Sequence, residues 1–234
     1  MKALYCLLSC LALAACDAQQ KPQVVVNFDQ PFPFGKPDLP GFLPRHRRRY
    51  PEHTYDSSRS RIISDKLLVE SHIVSVELSG AWLDSMGVPH QLGSYRGRDG
   101  FHYQVRTLAA DSFRVRVEVY DTLLYLNSRP LSILRRHRGW YYVSRPAAED
   151  STKWEVQRLG ILEGRVVLQL LNPDSLRIWA LDPSTVQQQR KTGQLIFTLS
   201  PQSRRAIWQV SNYDGLWIEE REYVISQLGD KHQQ

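Results

Sequence analysis

Two segments of this chain alternate apolar and polar residues without a break. They are Phe101-His102-Tyr103-Gln104-Val105-Arg106 and Phe113-Arg114-Val115-Arg116-Val117-Glu118-Val119. Side chains alternate across a strand, whereas a helix would spread both classes around its axis, so the pattern predicts half-buried β-strands. Ala109-Ala110-Asp111 between them supplies the turn of an antiparallel hairpin. Val115, Val117 and Val119 are expected inward and Arg114 and Arg116 outward, because a slip of one residue would drive both guanidinium groups into the core. Weaker strand signals cover 61–69, 73–78, 140–143, 154–159, 165–171, 176–181, 195–199 and 216–225, with turn residues such as Gly93, Gly139, Gly164 and Asn172-Pro173 between most of them.

Two short helices are expected near the C-terminus. Asp182-Pro183 reads as an N-cap and first helical position for Ser184–Lys191, and Ser200-Pro201 repeats the opening before the stripe of Ala206, Ile207 and Val210. The predicted fold is mainly β or α+β: an antiparallel sheet, sandwich or partly closed barrel with those two helices. Trp140-Tyr141-Tyr142 cannot all face one side of a strand, so at least one is expected to face outward, where it would suit a sugar or protein contact; core packing with a satisfied Tyr hydroxyl is the favoured use of these aromatics.

An apolar run follows Lys2 and ends in Leu13-Ala14-Ala15-Cys16. A cationic start, a short apolar core and small residues make a secretory signal, too short to span a bilayer. The residues LAAC resemble the lipobox of bacterial lipoproteins. That resemblance implies cleavage before Cys16 and a diacylglycerol on its thiol, with residues 1–15 removed. Asp17 directly after it resembles the inner-membrane retention signal of enteric bacteria, a rule that need not hold in other lineages; for this chain the outer membrane is slightly favoured over the inner. Cys6 and Cys10 would leave with the signal, so the mature domain holds no thiol for a disulfide, nucleophile or metal.

Residues 16–44 read as the lipidated Cys and a tether with prolines at 22, 31, 33, 37, 40 and 44. Val24-Val25-Val26, Phe28, Phe32 and Phe34 suggest that its second half lies on the domain, Phe side down. Residues 45–234 then form a single β-rich domain. Leu43-Pro44-Arg45-His46-Arg47-Arg48-Arg49-Tyr50 echoes Leu134-Arg135-Arg136-His137-Arg138-Gly139-Trp140-Tyr141. A duplication into halves 45–125 and 126–234 would account for the echo, as would chance in an Arg-rich chain. The lipobox, Pro-rich tether and basic segment leading into strands resemble small uncharacterised lipoproteins of Bacteroidota, which implies an address and a β-rich fold but no activity.

The formal charge is +6, and 23 of the 30 cations are Arg. Guanidinium groups suit bidentate contacts to phosphate and carboxylate, although a GC-rich gene would raise the overall ratio by itself. The local clusters are the positive functional signal: Arg45, Arg47, Arg48 and Arg49, then Arg135, Arg136 and Arg138. Near an anionic surface each cation contributes roughly 1 kcal/mol; alternatively each cluster is a solvated turn that guards an edge strand. The seven histidines show no zinc spacing, and no Gly-x-Ser-x-Gly elbow or phosphate loop is present, so no metal, cofactor or catalytic residue is expected. Glu219, Glu220 and Glu222 read as a solvated strand face.

The expected function is that of a lipid-anchored envelope protein facing the periplasm. Its domain is read as a non-catalytic binding or structural module that contacts an envelope protein, lipopolysaccharide or another anionic polymer, and no nucleic acid. The alternative is an envelope hydrolase whose site assembles only in the fold. Cys16→Ser should shift the protein from the detergent phase to the aqueous phase of a phase-separated extract; a variant that still follows the membrane would overturn the lipoprotein reading.

Overall fold

The computed structural model describes residues 23–51, 59–127, 131–173, 175–191, 193–213 and 215–219. Cys16 and the rest of the expected signal lie outside them, as do Glu220 and Glu222. The protein is mostly β, with two sheets in a sandwich-like arrangement that is not a closed barrel.

The first sheet contains β1 (Gln23–Phe28), and the second begins with β2 (Arg49–Pro51), β3 (Arg59–Ile63) and β4 (Leu67–Ser79). Helix α1 (Gly80–Met86) follows, ended by Gly87 at φ +66°, a left-handed cap that glycine adopts without strain. The second sheet is completed by β5 (Gly93–Arg96), β6 (His102–Ala109) and β7 (Ser112–Tyr125). Its order is β2-β3-β4-β7-β6-β5, antiparallel throughout. Back in the first sheet are β8 (Ile133–His137), β9 (Trp140–Pro146), β10 (Trp154–Leu162) and β11 (Arg165–Leu171). Helix α2 (Ser175–Trp179), β12 (Val186–Lys191), β13 (Gln194–Leu199), α3 (Arg204–Asn212) and β14 (Trp217–Glu219) end the described chain. The first sheet runs β12-β13-β1-β10-β11-β14, with β9 pairing β10 and β8.

The alternating segments form the predicted hairpin, with Ala109 opposite Ser112. Val115 is fully buried, Val117 and Val119 are half-buried, and Arg114 and Arg116 face solvent. Arg114 donates to Glu77 at 2.8 Å across the β4–β7 pair.

Three apolar clusters hold the fold. Between the sheets, Phe42, Tyr50, Ile63, Leu68 and Leu124 meet Tyr141, Val143, Leu159 and Val166. The buried Arg61 spans the same gap, donating to Glu70 within its own sheet and to Val166 O at 3.1 Å in the other. On the outer face of the first sheet, Phe28, Phe32, Tyr142 and Phe197 pack with Ile178 after α2 begins and Val210 of α3. Leu83 of α1 covers Tyr103, Val105, Phe113 and Val115 of the second sheet.

Several expectations are corrected. Gln23–Phe28 is an internal strand rather than tether, parallel to β13 along its whole length. Phe28, Phe32 and Phe42 are fully buried. Residues 186–191 are strand, not helix: Asp182 accepts from Ser184 N at 3.0 Å and caps a single 3₁₀ turn, after which pairing with β13 overrides the helix tolerance of the Gln run. Residues 175–179 are helix, not strand, and 61–69 is a hairpin of two strands. The helix around Ala206 forms, but from the cap Ser203, whose side chain accepts from Ala206 N at 3.0 Å. Neither Tyr of Trp140-Tyr141-Tyr142 faces outward. Helices cover one face of the sheet and the second sheet the other, so Tyr141 and Tyr142 are both buried, on opposite sides. The echoed segments adopt different structures, a 3₁₀ turn leading to β2 and the β8–β9 hairpin.

Phe32 packs against Phe28 at 5.1 Å and edge-on to Tyr142 at 4.9 Å. Phe32→Ala should therefore cost about 3–5 kcal/mol of unfolding free energy in denaturant titration, whereas a surface tether would lose less than ~0.5 kcal/mol.

Candidate functional site: a basic and aromatic cleft

The seven candidate arginines divide by what they touch. Arg47 pairs with Asp65 at 2.6 Å and donates to Phe42 O at 2.7 Å. Arg49 pairs with Glu118 at 2.6 Å and reaches Ser60 and Ser71. Arg135 pairs with Asp38 at 2.7 Å and donates to Pro31 O and Pro33 O, which fastens the proline-rich loop to β8. These three side chains satisfy carbonyls and carboxylates of the fold itself. Arg45, Arg48, Arg136 and Arg138 have no carboxylate partner among the described residues.

Three of those four converge. Arg48 lies over the Tyr50 ring and Arg136 over the Tyr141 ring, 4.9 and 5.8 Å from the centroids. The Tyr141 hydroxyl accepts from Leu43 N at 3.1 Å and lies 2.8 Å from His46 Nδ1. Burial, then the charges of Arg136, Arg45 and Arg48, hold His46 below the usual histidine value. His46 therefore favours its neutral form near pH 7, and the direction of its hydrogen bond with the Tyr141 hydroxyl is set by the imidazole tautomer. The two echoed segments meet here, through the part-buried hydrogen bonds of Leu43, Tyr141 and His46.

The fourth arginine belongs to a cleft. Arg138 (φ +50°) and Gly139 (φ +86°) form the two-residue turn between β8 and β9, a conformation with positive φ at both positions that suits strand twist. This turn carries His137 and Arg138 to one wall of a cavity of about 460 Å³. The loop after β1 brings Phe34 and Lys36 to a second wall, and α3 brings Arg204, Ile207 and Trp208 to a third. Helix α3 is pinned at its far end, where Arg158 donates to Ser211 O at 2.6 Å and the Trp217 indole to Val210 O at 2.7 Å. Ala206 and Val210 point into the core, which turns Trp208 outward, 49% exposed.

The cleft is chemically one-sided. Lys36, Arg138, Arg204 and His137 line it and none of its described lining residues is acidic. Burial first, then Lys36 and Arg138, hold the His137 imidazole below its usual value. Such walls attract an anion, and the exposed indole offers a flat apolar face beside it. Among the described residues no Ser donates to or accepts from a His, and no three His, Cys, Asp or Glu side chains gather as for a metal. No described helix is long and apolar enough to cross a membrane.

Of the candidates read from sequence, only Arg138 lines this cleft. Lys36, His137, Arg204 and Trp208 come from three distant segments, and no spacing in the chain announces their meeting. No protein-family model, curated protein or solved structure matches the chain.

Because His46 and His137 both titrate below the ordinary value of about 6.5, the unfolded chain takes up protons that the native state refuses. Stability is then full above that value and falls as pH drops through the window beneath it. Denaturant midpoints should decline from about pH 7 to about pH 5. His46→Gln combined with His137→Gln should flatten that decline; an unchanged slope would place it in other groups.

Proposed function

We propose that this chain is a lipid-anchored protein of the bacterial cell envelope whose domain is a non-catalytic module that binds an anionic polymer of that compartment. The address rests on Lys2, the apolar run and Leu13-Ala14-Ala15-Cys16. The binding reading is carried by one observation: Lys36, His137, Arg138 and Arg204 line a single cleft with no acidic residue among its described lining residues. A patch that served solubility would mix both signs, and cations gathered on concave walls focus a positive potential.

The anchor and the domain are close in sequence. Six residues, 17–22, separate Cys16 from β1, and even fully extended they span only about 20 Å. A lipid on Cys16 would therefore keep the domain near the bilayer surface, where lipopolysaccharide and wall polymers present phosphates and carboxylates. Guanidinium groups match both geometries.

Binding of the full chain to polygalacturonate and to lipopolysaccharide tests the proposal. From about 0.01 M to about 0.15 M salt the screening length falls from ~30 to ~8 Å, so affinity should drop at least ~tenfold. Replacing Arg138 and Arg204 together by Ser removes two charge-assisted contacts and should cost ~tenfold or more at low salt. No binding to either polymer at low salt, or a double variant equal to wild type, would refute it.

A further inference from the structure

Resting on the anion-binding reading, we infer that the ligand is an acidic polysaccharide and that Trp208 divides two adjoining sugar subsites. Trp208 lines the cationic cleft on one side, and on its other side a second hollow of about 400 Å³. The second hollow is different in kind. It is lined by Ala180, Leu181, Gln209, Asn212 and Tyr213, two aliphatic side chains, two amides and a phenol, with no charge among them.

This juxtaposition selects the ligand. A phosphate or a lipid headgroup would use the cations and leave the uncharged hollow and the indole idle. A chain of sugar units uses all three: an acidic unit against Arg138 and Arg204, the apolar C–H face of a ring against the indole, and hydroxyls of a neutral unit against the amides. Saccharide rings bury C–H groups and present hydroxyls at their rims, which matches a flat aromatic face flanked by amide donors and acceptors.

The local chemistry fits as well. Gln209 and Asn212 line the hollow with side-chain amides, which carry both donors and acceptors for hydroxyls. Asn212 Nδ2 donates to Trp208 O at 2.8 Å, bracing the last turn of α3 beneath the indole. Trp208 is half exposed while its helix neighbours Ala206 and Val210 fill the core, so its role is not core packing.

The test is isothermal titration of the full chain with hyaluronan, which alternates acidic and neutral sugars, and with polyphosphate, an anionic polymer without sugar. Trp208→Ala should weaken hyaluronan about tenfold or more and change polyphosphate less than about twofold. Trp208→Phe, which keeps a stacking face, should recover most of the loss, and unchanged thermal melting of both variants shows that the fold persists. If Trp208→Ala leaves hyaluronan binding intact, or weakens both polymers equally, the saccharide assignment is overturned. A loss of both polymers on replacing Arg138 and Arg204 by Ser would still uphold anion binding. If the wild type binds neither polymer, both readings fall.

Discussion

The first sheet depends on β1. All six of its residues pair in parallel with β13, from Gln23 opposite Gln194 to Phe28 opposite Leu199, and Phe28 also faces Trp154 of β10. Among the described strands β1 is the link between the β12–β13 pair and the other strands of that sheet. A strand near the start of the described chain thus completes a sheet made from its end, with a sequence separation of 171 at paired positions such as Gln23 and Gln194. Closing so large a loop costs chain entropy before any hydrogen bond is gained, and such topologies fold slowly. The same insertion seats Phe28 and Phe32 in the core, and Arg135 then ties the following loop to β8. Phe34 and Lys36 reach the hairpin tip only because both events occur. The cleft is a consequence of the closure.

The arginines show how one residue type serves two ends. Arg47, Arg49 and Arg135 each bind a carboxylate plus at least one further oxygen of the fold. The buried Arg61 bridges the sheets by donating to a backbone carbonyl. Arg158 lies between the Trp140 and Trp217 rings, at 4.2 and 4.7 Å, while satisfying the C-terminal carbonyl of Ser211. A guanidinium can do this because it carries five donors in a plane and stacks on aromatic faces. Lysine could not replace it at these positions without orphaning acceptors. Arg abundance is therefore partly architectural here, and sequence clusters alone did not separate the structural arginines from those on the cleft.

What was legible followed from local periodicity. The β6–β7 hairpin, with Val115 buried and Arg114 and Arg116 out, needs only alternation and a turn. The run Val24-Val25-Val26-Asn27-Phe28 carried the signal of a strand covered on both faces, but prolines on either side outweighed it. Residues 186–191 misled because glutamines tolerate a helix, and only the distant β13 decides otherwise. Tyr141 and Tyr142 are both buried because the sheet is a middle layer, a fact that no single strand reveals. The cleft joins residues near 36, 138 and 206, and a site assembled from three segments leaves no spacing to read.

The cleft has an energetic character that follows from its composition. Lys36, Arg138 and Arg204 share walls with His137 and with no acidic residue among the described lining residues, so like charges repel there; burial first, and then the repulsion from Lys36 and Arg138, lowers the His137 pKa. An anion bound there would relieve that repulsion. It would stabilise the fold by RT ln(1 + [L]/Kd) and raise the affinity of His137 for a proton. Linkage makes the relation reciprocal: protonation of His137 strengthens anion binding by the same factor by which the anion favours protonation. On the proposed anion binding, acid would therefore act on this domain in two opposed ways, weakening it when empty and tightening its hold on a polyanion when filled. A carboxylate on these walls would weaken both the repulsion and the attraction for an anion, while the part of the His137 shift that comes from burial would remain.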